Sequence, residues 1–191
     1  MKKSKLRKIF LKKQSELSET ERRDRSLQIT GSVFAQFPLE IVRYLHLFLS
    51  IAEKGEIDTS AIISKLWREH PSIKTVVPRV NFEKDVLEHL EFDRNTTLQT
   101  SSWGIAEPVG NKLIEEKKID MVLVPMLCFD ERGYRVGHGK GYYDKFLSKC
   151  REDVLKIGLS FFPPVERIED IWEEDVKLDH CVTPGKVWHF K

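Results

Sequence analysis

A glycine-rich segment over residues 124–147 carries the residue types and spacing that point most clearly to chemistry. It reads VPMLCFDERGYRVGHGKGYYDKFL and follows an apolar run typical of a buried strand. Glycine lets the backbone adopt positive φ and approach an anion closely, so that successive N–H groups can face one concavity. The segment alternates glycines with basic residues and ends in two tyrosines and an acid: Gly133, Gly137, Gly139 and Gly141, with Arg135, His138 and Lys140, then Tyr142, Tyr143 and Asp144. This pattern predicts a phosphate-binding loop with a carboxylate at its edge.

Each of these assignments has a plainer alternative. A run of glycines is also typical of a tight turn, and Arg135 and Lys140 could be solvated loop cations, although phosphate recognition favours arginine. Asp144 could be a Mg²⁺ ligand, since Mg²⁺ is usually held by one or two carboxylates plus phosphate oxygens and waters. It could equally be an acid that complements a helix dipole. The segment matches neither the Walker A pattern nor the dinucleotide G-x-G-x-x-G fingerprint.

The elements that must position this loop alternate between helix and strand. Helices are predicted from Ser4, from a capping box at Ser18 to Pro38, after Asp58 and Thr59, and over 111–118 and 142–149. Strands are predicted within 41–49, 73–77, 85–92, 120–124, 154–160 and 187–190. The alternation predicts an α/β fold, with a largely parallel sheet flanked by helices in a single domain.

Ligands of such sheets bind beyond the carboxyl ends of the strands. Three predicted loops follow those ends: one carries Glu56, one carries Pro78 and Arg79, and the third is the glycine-rich loop. We therefore expect these segments, which are far apart in sequence, to meet at one edge of the sheet.

Composition is typical of a small cytoplasmic enzyme. The chain has 191 residues, 32 basic against 30 acidic, and a net charge of +2, so no global field favours nucleic acid. Its three cysteines have no CxxC spacing and are expected to be reduced thiols. No signal peptide and no membrane span are predicted. We expect a cytoplasmic protein that binds small molecules and neither nucleic acid nor membrane.

The glycine-rich segment resembles the signature of the 5-formyltetrahydrofolate cyclo-ligases, also called 5,10-methenyltetrahydrofolate synthetases. That signature runs Pro-Gly-x-x-Phe-Asp and then Gly-x-Arg-Leu-Gly-x-Gly-x-Gly-Tyr-Tyr-Asp. Four further segments resemble the family in the same order: 3–7, 56–59, 103–108 and 175–179. Met126 stands where the family usually has Gly and Val136 where it has Leu, and neither departure removes a charge or a loop glycine.

The resemblance implies a fold of the sugar-phosphate isomerase and CoA-transferase type. It also implies the ATP-dependent closure of 5-formyltetrahydrofolate to 5,10-methenyltetrahydrofolate, with Mg²⁺ as cofactor. ATP would be bound by Lys3, Ser4, Lys5, Leu6, Arg7, Arg135, Val136, Gly137, His138, Gly139, Lys140, Gly141, Tyr142 and Tyr143. The folate would be bound by Ile51, Glu56, Trp103 and Tyr143, the metal by Asp144 and Asp175, and the catalytic cations would be Arg135 and Lys140. We expect a monomer.

The family resemblance changes the interpretation of two residues near the start of the chain. Lys3 and Arg7 lie four apart, so on a helix they share a face and could clamp a phosphate. From the residues alone a solvated basic terminus is favoured, because like-charge runs are common there. The resemblance favours the clamp instead.

Two other function classes stay open. A sugar-phosphate isomerase or CoA-transferase relative would share the fold but need no ATP. A nucleic-acid binder would use the basic N-terminal helix, and its binding would be salt-sensitive and indifferent to the glycine-rich loop.

Overall fold

A seven-stranded sheet forms the centre of the computed structural model, which describes residues 1–100, 106–110 and 112–190. The strands are β1 (Tyr44–His46), β2 (Lys74–Asn81), β3 (Val86–Phe92), β4 (Leu98–Thr100), β5 (Ala106–Pro108), β6 (Met121–Pro125), β7 (Cys128–Phe129), β8 (Arg135–Val136), β9 (Leu155–Leu159), β10 (His180–Thr183) and β11 (Lys186–His189). The large sheet has the order β11-β10-β9-β6-β1-β2-β3, while β4 pairs with β5 and β7 with β8. From β10 to β2 all neighbours are parallel, and β3 and β11 are antiparallel edge strands. The predicted largely parallel sheet flanked by helices is confirmed.

The helices are α1 (Lys3–Ser15), α2 (Glu19–Gln36), α3 (Ser60–Glu69) and α4 (Tyr142–Leu147). The capping box predicted for α2 is present: Ser18 Oγ accepts from the Glu21 N–H at 3.2 Å, and Glu21 Oε2 accepts from the Ser18 N–H at 2.9 Å. Helix α2 then ends just before Pro38, because proline removes a backbone donor and disfavours helical geometry in the residue before it.

Alternation along β1 divides the interior between the two faces of the sheet. Leu45 and Leu47 are buried in the core formed with α2 and α3. His46 points to the opposite face, where its ring lies 4.7 Å from that of Phe146 on α4. Helix α1 lies against the β7–β8 hairpin through Leu6 and Phe10. The hairpin that forms part of the glycine-rich loop is therefore covered by α1.

The helix predicted over 111–118 is wrong for its described residues. Only a 3₁₀ turn forms at Glu116–Lys118, while Leu113 makes an antiparallel bridge with Leu90 of β3. The N–H of Ile114 donates to the carbonyl of His89 at 2.8 Å. The free edge of β3 thus captures this segment, and sheet pairing overrides the local helical preference.

The loop predicted at Pro78 and Arg79 is also wrong, because both residues lie inside β2. Pro78 is opposite His89, and Arg79 is opposite Glu88. Pairing with β1 ends earlier along β2, at Val76, so among the described residues no strand pairs with Pro78 on that side. Proline is tolerated at such an edge because no ladder partner needs its N–H. The two residues therefore extend β2 beyond the carboxyl end of β1 as strand and not as a loop.

No helix within the described ranges is both long and apolar enough to cross a membrane.

Candidate functional site

The glycine-rich loop follows β6 and is formed by the β7–β8 hairpin, residues 137–141 and the start of α4. Gly139 has φ +95°, and a Cβ there would lie 3.2 Å from the guanidinium carbon of Arg7. Arg7 Nε donates to the carbonyl of Gly137 at 2.9 Å. Glycine at 139 therefore allows both the left-handed backbone and the close approach of α1.

Arg135 and Asp144 form a short ion pair inside the loop. Arg135 Nη2 donates to Asp144 Oδ1 at 2.6 Å, and Arg135 Nη1 donates to the carbonyl of Val176 at 2.5 Å. The Arg135 side chain is only 6 % exposed. Burial lowers the pKa of Arg135, and the charge of Asp144 opposes that shift. The guanidinium is thus held in place by both partners, and Asp144 also balances its charge.

A second ion pair joins the two ends of the chain to the same region. Lys3 Nζ donates to Asp175 Oδ2, which also accepts from the N–H of Trp172 at 2.8 Å. Asp175 acts electrostatically on Arg135 as well, raising its pKa against the effect of burial. The charges of Lys3, Asp175, Arg135 and Asp144 therefore form one network of alternating sign, which we call the charge network.

Glu56 lies in the segment that follows β1 and leads to α3. Its Oε2 accepts from the N–H of Ile51 at 2.9 Å. Burial raises the pKa of Glu56, opposed by that hydrogen bond and by the charge of Lys54. A neighbouring cavity of about 10 Å³ has space for roughly one water molecule. The cavity is lined by Gln14, Phe48, Glu56, Ile57, Pro125, Met126, His138, Leu159 and Phe161.

Tyr143 lies within electrostatic range of both Glu56 and Arg135. Its hydroxyl is buried and has no hydrogen-bond partner among the residues the structure describes. Burial raises the pKa of the phenol strongly, the charge of Glu56 adds to the shift, and Arg135 opposes it. A buried hydroxyl between a carboxylate and a guanidinium is a group available to a ligand.

Comparison with known proteins decides the family. The model of the 5-formyltetrahydrofolate cyclo-ligase family matches residues 1–184. The chain belongs to the 5-formyltetrahydrofolate cyclo-ligase family. It is therefore an enzyme of the ligase class, in folate metabolism.

Individual relatives agree over nearly the whole length. A probable 5-formyltetrahydrofolate cyclo-ligase of Schizosaccharomyces pombe is 27% identical over 98% of this chain and 97% of its own. The mouse 5-formyltetrahydrofolate cyclo-ligase is 30% identical over 87% of this chain and 85% of its own. The NMR structure of Aquifex aeolicus 5,10-methenyltetrahydrofolate synthetase superposes with a TM-score of 0.85 and 30% identity, covering 100% of this chain and 94% of that one.

The cyclo-ligase resemblance implied a metal site, and the donor set is compatible with Mg²⁺. No group of three or more His, Cys, Asp or Glu side chains able to hold a metal occurs in the described ranges. Nucleotide-bound Mg²⁺ does not need one, because phosphate oxygens and waters complete its six ligands. Described residues donate two hydrogen bonds to the Asp144 carboxylate, and both go to Oδ1. Among those residues, Oδ2 has no hydrogen-bond donor. Asp144 and Asp175 therefore fit the role of the few carboxylates such a site requires.

The other predicted site residues differ in how they are placed. Lys140 is exposed, and within the described part of the chain its side chain makes no hydrogen bond or ion pair. Leu6 and Val136 are buried in the core beneath the loop, so only their backbone could contact a nucleotide. Ser4 and Lys5 are exposed at the start of α1, and Tyr142 hydrogen-bonds Asp85. Trp103 lies outside the described residues.

Two buried histidines beneath the loop lie side by side, and no sequence motif predicts their contact. His46 and His89 are buried, their rings are 5.1 Å apart, and their four ring nitrogens have no partner among the described residues. The His46 ring lies 6.1 Å from that of Tyr143. They are 43 positions apart and on different strands, so no motif spacing could have linked them.

Proposed function

We propose that this cyclo-ligase converts 5-formyltetrahydrofolate to 5,10-methenyltetrahydrofolate, using ATP and Mg²⁺ and releasing ADP and phosphate. The observation that supports it most is that two segments predicted to bind ATP meet a third predicted to bind the metal. The start of α1, the glycine-rich loop and the segment at Asp175 come together through the contacts of Arg7 with Gly137 and of Lys3 with Asp175. Such a collection of cations and carboxylates around a loop fits a nucleotide triphosphate with its metal.

The reaction needs a nucleotide because a formamide carbonyl is a poor electrophile. After N10 attacks the formyl carbon, the oxygen would have to leave as hydroxide. Transfer of the γ-phosphoryl group of ATP to the formyl oxygen gives ADP and turns that oxygen into a good leaving group. N10 then adds to the carbon, loses its proton, and the C–O bond breaks to release phosphate. Catalysis of such a transfer is mostly positioning and charge stabilisation.

The charge network supplies the groups for that task. Arg135 and Lys140 are the proposed catalytic cations, which neutralise charge on the transferring phosphoryl group. Arg135 is pre-positioned by its two hydrogen bonds, whereas exposed Lys140 is free to reach a ligand. Asp144 and Asp175 would hold Mg²⁺, which supplies further charge neutralisation at the phosphates when bound. Lys3 and Arg7 would contact the remaining phosphate oxygens.

The folate is proposed to bind beside the nucleotide, with its pterin ring at Glu56. A carboxylate can accept paired hydrogen bonds from the ring amino and N–H groups, and desolvation strengthens them. Ile51, Tyr143 and Trp103 would bind the folate with it. A cavity of about 10 Å³ is far smaller than the roughly 300 Å³ lower limit of ligand pockets, so this space must widen to admit the ring. We also propose that the enzyme works as a cytoplasmic monomer.

One spectrophotometric assay tests the activity. Purified enzyme with 5-formyltetrahydrofolate, ATP and Mg²⁺ should produce methenyl absorbance, with one phosphate released per product. Omission of ATP or Mg²⁺ should abolish the signal. An isomerase or transferase relative of the same fold would show no dependence on ATP.

An isotope experiment tests the intermediate. Substrate labelled with heavy oxygen in the formyl group should deliver one labelled atom to each phosphate. Label found in water instead would contradict phosphorylation of the formyl oxygen.

A further inference from the structure

A groove beside the proposed folate cavity has cationic side chains that the proposed reaction does not use. Its volume is about 460 Å³, within the range of about 300–1,000 Å³ typical of ligand pockets. The groove lies between α2 and the β10–β11 hairpin, and Arg25 and Lys186 are its basic lining residues. Phe161 lines both the groove and the cavity at Glu56. The two spaces are thus neighbours along the carboxyl edge of the sheet.

The groove has the chemistry of a carboxylate site. Among the described residues Arg25 makes only long contacts, with the carbonyl of Phe161 at 3.4 Å and with a carboxylate oxygen of Glu21 at 3.8 Å. The other oxygen of Glu21 is engaged in the α2 capping box, so this acid neutralises Arg25 only weakly. Donors of a guanidinium that lack short partners can serve a carboxylate in bidentate geometry.

The second cation is held in place by an aromatic ring. Lys186 Nζ lies 3.6 Å from the ring centroid of Trp188, and Trp188 Nε1 donates to Thr183 Oγ1 at 3.0 Å. The indole is therefore fixed, and its face keeps the ammonium at the groove. Two cations, on α2 and at the start of β11, line one groove of ligand size.

We infer that this groove binds the glutamate part of the folate substrate, with Arg25 and Lys186 as partners of its carboxylates. The inference rests on the proposed function, because it takes 5-formyltetrahydrofolate as the ligand. That molecule carries two carboxylates at the end remote from its pterin ring. Because Phe161 lines both spaces, we place the aminobenzoyl ring at Phe161, between the pterin at Glu56 and the glutamate in the groove. Arg25 and Lys186 then determine affinity for the substrate and take no part in the chemistry.

The test is a double-mutant cycle in which the protein cations and the ligand carboxylates are removed separately and together. Arg25→Gln, Lys186→Gln and the double variant are compared on 5-formyltetrahydrofolate and on 5-formyltetrahydropteroate, which lacks the glutamate. Arg23→Gln is the matched control, since Arg23 is exposed on α2 but does not line the groove. The Kd of each ligand is measured by calorimetry without ATP, and KM and kcat are measured with ATP.

Each single substitution should raise Kd and KM for the glutamate-containing substrate about 3-fold and the double about 10-fold, as for partly exposed ion pairs. The kcat and the affinity for the pteroate compound should not change, and added salt should shrink the difference between the two ligands. An equal loss for both ligands would mean a structural role. No loss for either would mean that the carboxylates bind elsewhere. Both results overturn the inference, whereas a wild-type enzyme that binds both ligands but turns over neither overturns the proposed function.

Discussion

Protonation of the buried His89 should be one cause of acid instability in this protein. The side chain is 3% exposed, and its ring lies 3.9 Å from that of Phe146. Burial lowers its pKa from 6.5 to about 4, and Glu116 opposes the shift only in part. An unfolded chain leaves the histidine free to bind a proton near pH 6.5. Acid therefore favours the unfolded state.

The magnitude follows from the two pKa values. Because the pKa of His89 is lower in the folded state, the stability linked to this residue is intact above pH 6.5 and is lost as the pH falls toward 4. One pKa unit corresponds to about 1.4 kcal/mol. The free energy of unfolding should therefore fall by about 2 kcal/mol between pH 7 and pH 5 through this residue, and by about 3 kcal/mol when its shift is complete.

Urea unfolding of His89→Leu at several pH values isolates this contribution. At pH 7 the variant should be within about 1.5 kcal/mol of the wild type, because leucine has a similar volume. Between pH 7 and pH 5 the free energy of unfolding of the variant should fall by about 2 kcal/mol less than that of the wild type. Tyr143→Phe is the control, since that neighbouring phenol has its pKa raised and does not titrate in this range.

Equal losses of stability in the wild type and in His89→Leu would refute the reasoning. They would mean that His89 accepts a proton in the folded state, and that its ring nitrogens have partners there.

Three further outcomes are expected. Asp144→Asn should lower turnover more than about tenfold, with partial recovery at raised Mg²⁺; activity like that of the wild type at low Mg²⁺ would contradict a metal role. Glu56→Gln should weaken folate binding in calorimetry while ATP binding survives, and an equal loss for both ligands would point to a structural role. Gly133→Ala should cost at least about 2 kcal/mol more in thermal or urea unfolding than Gly110→Ala. Both glycines have positive φ, but only at 133 would the new Cβ meet a neighbour, Phe190, at 2.7 Å.

Local signals in the sequence predicted most of the framework. The capping box at Ser18 and the stop at Pro38 set the bounds of α2 because both act within a few residues. The failed prediction over 111–118 has a different origin, since its helical preference loses to the edge of β3, where Leu90 bridges Leu113. Sequence periodicity carries no information about which strand edge is free, so pairing of this kind could not be predicted.

The candidate site divides in the same way. The glycine-rich loop could be identified because its residues are contiguous, and the roles assigned to them stay predictions. The pairing of Lys3 with Asp175 and the burial of His46 beside His89 depend on contacts between distant segments. Only folding brings those residues together, and no spacing along the sequence predicts these contacts.

The charge network has a consequence for the order in which the proposed site is completed during synthesis of the chain. Lys3 and Asp175 are 172 positions apart, and Arg7 contacts Gly137 across 130 positions. Long-range contacts form late because the entropy of closing the chain must be overcome first. A nascent chain has made Lys3, Arg7 and the glycine-rich loop long before Asp175 leaves the ribosome. Until then Lys3 has no Asp175 to pair with, and the proposed metal site lacks one of its two carboxylates.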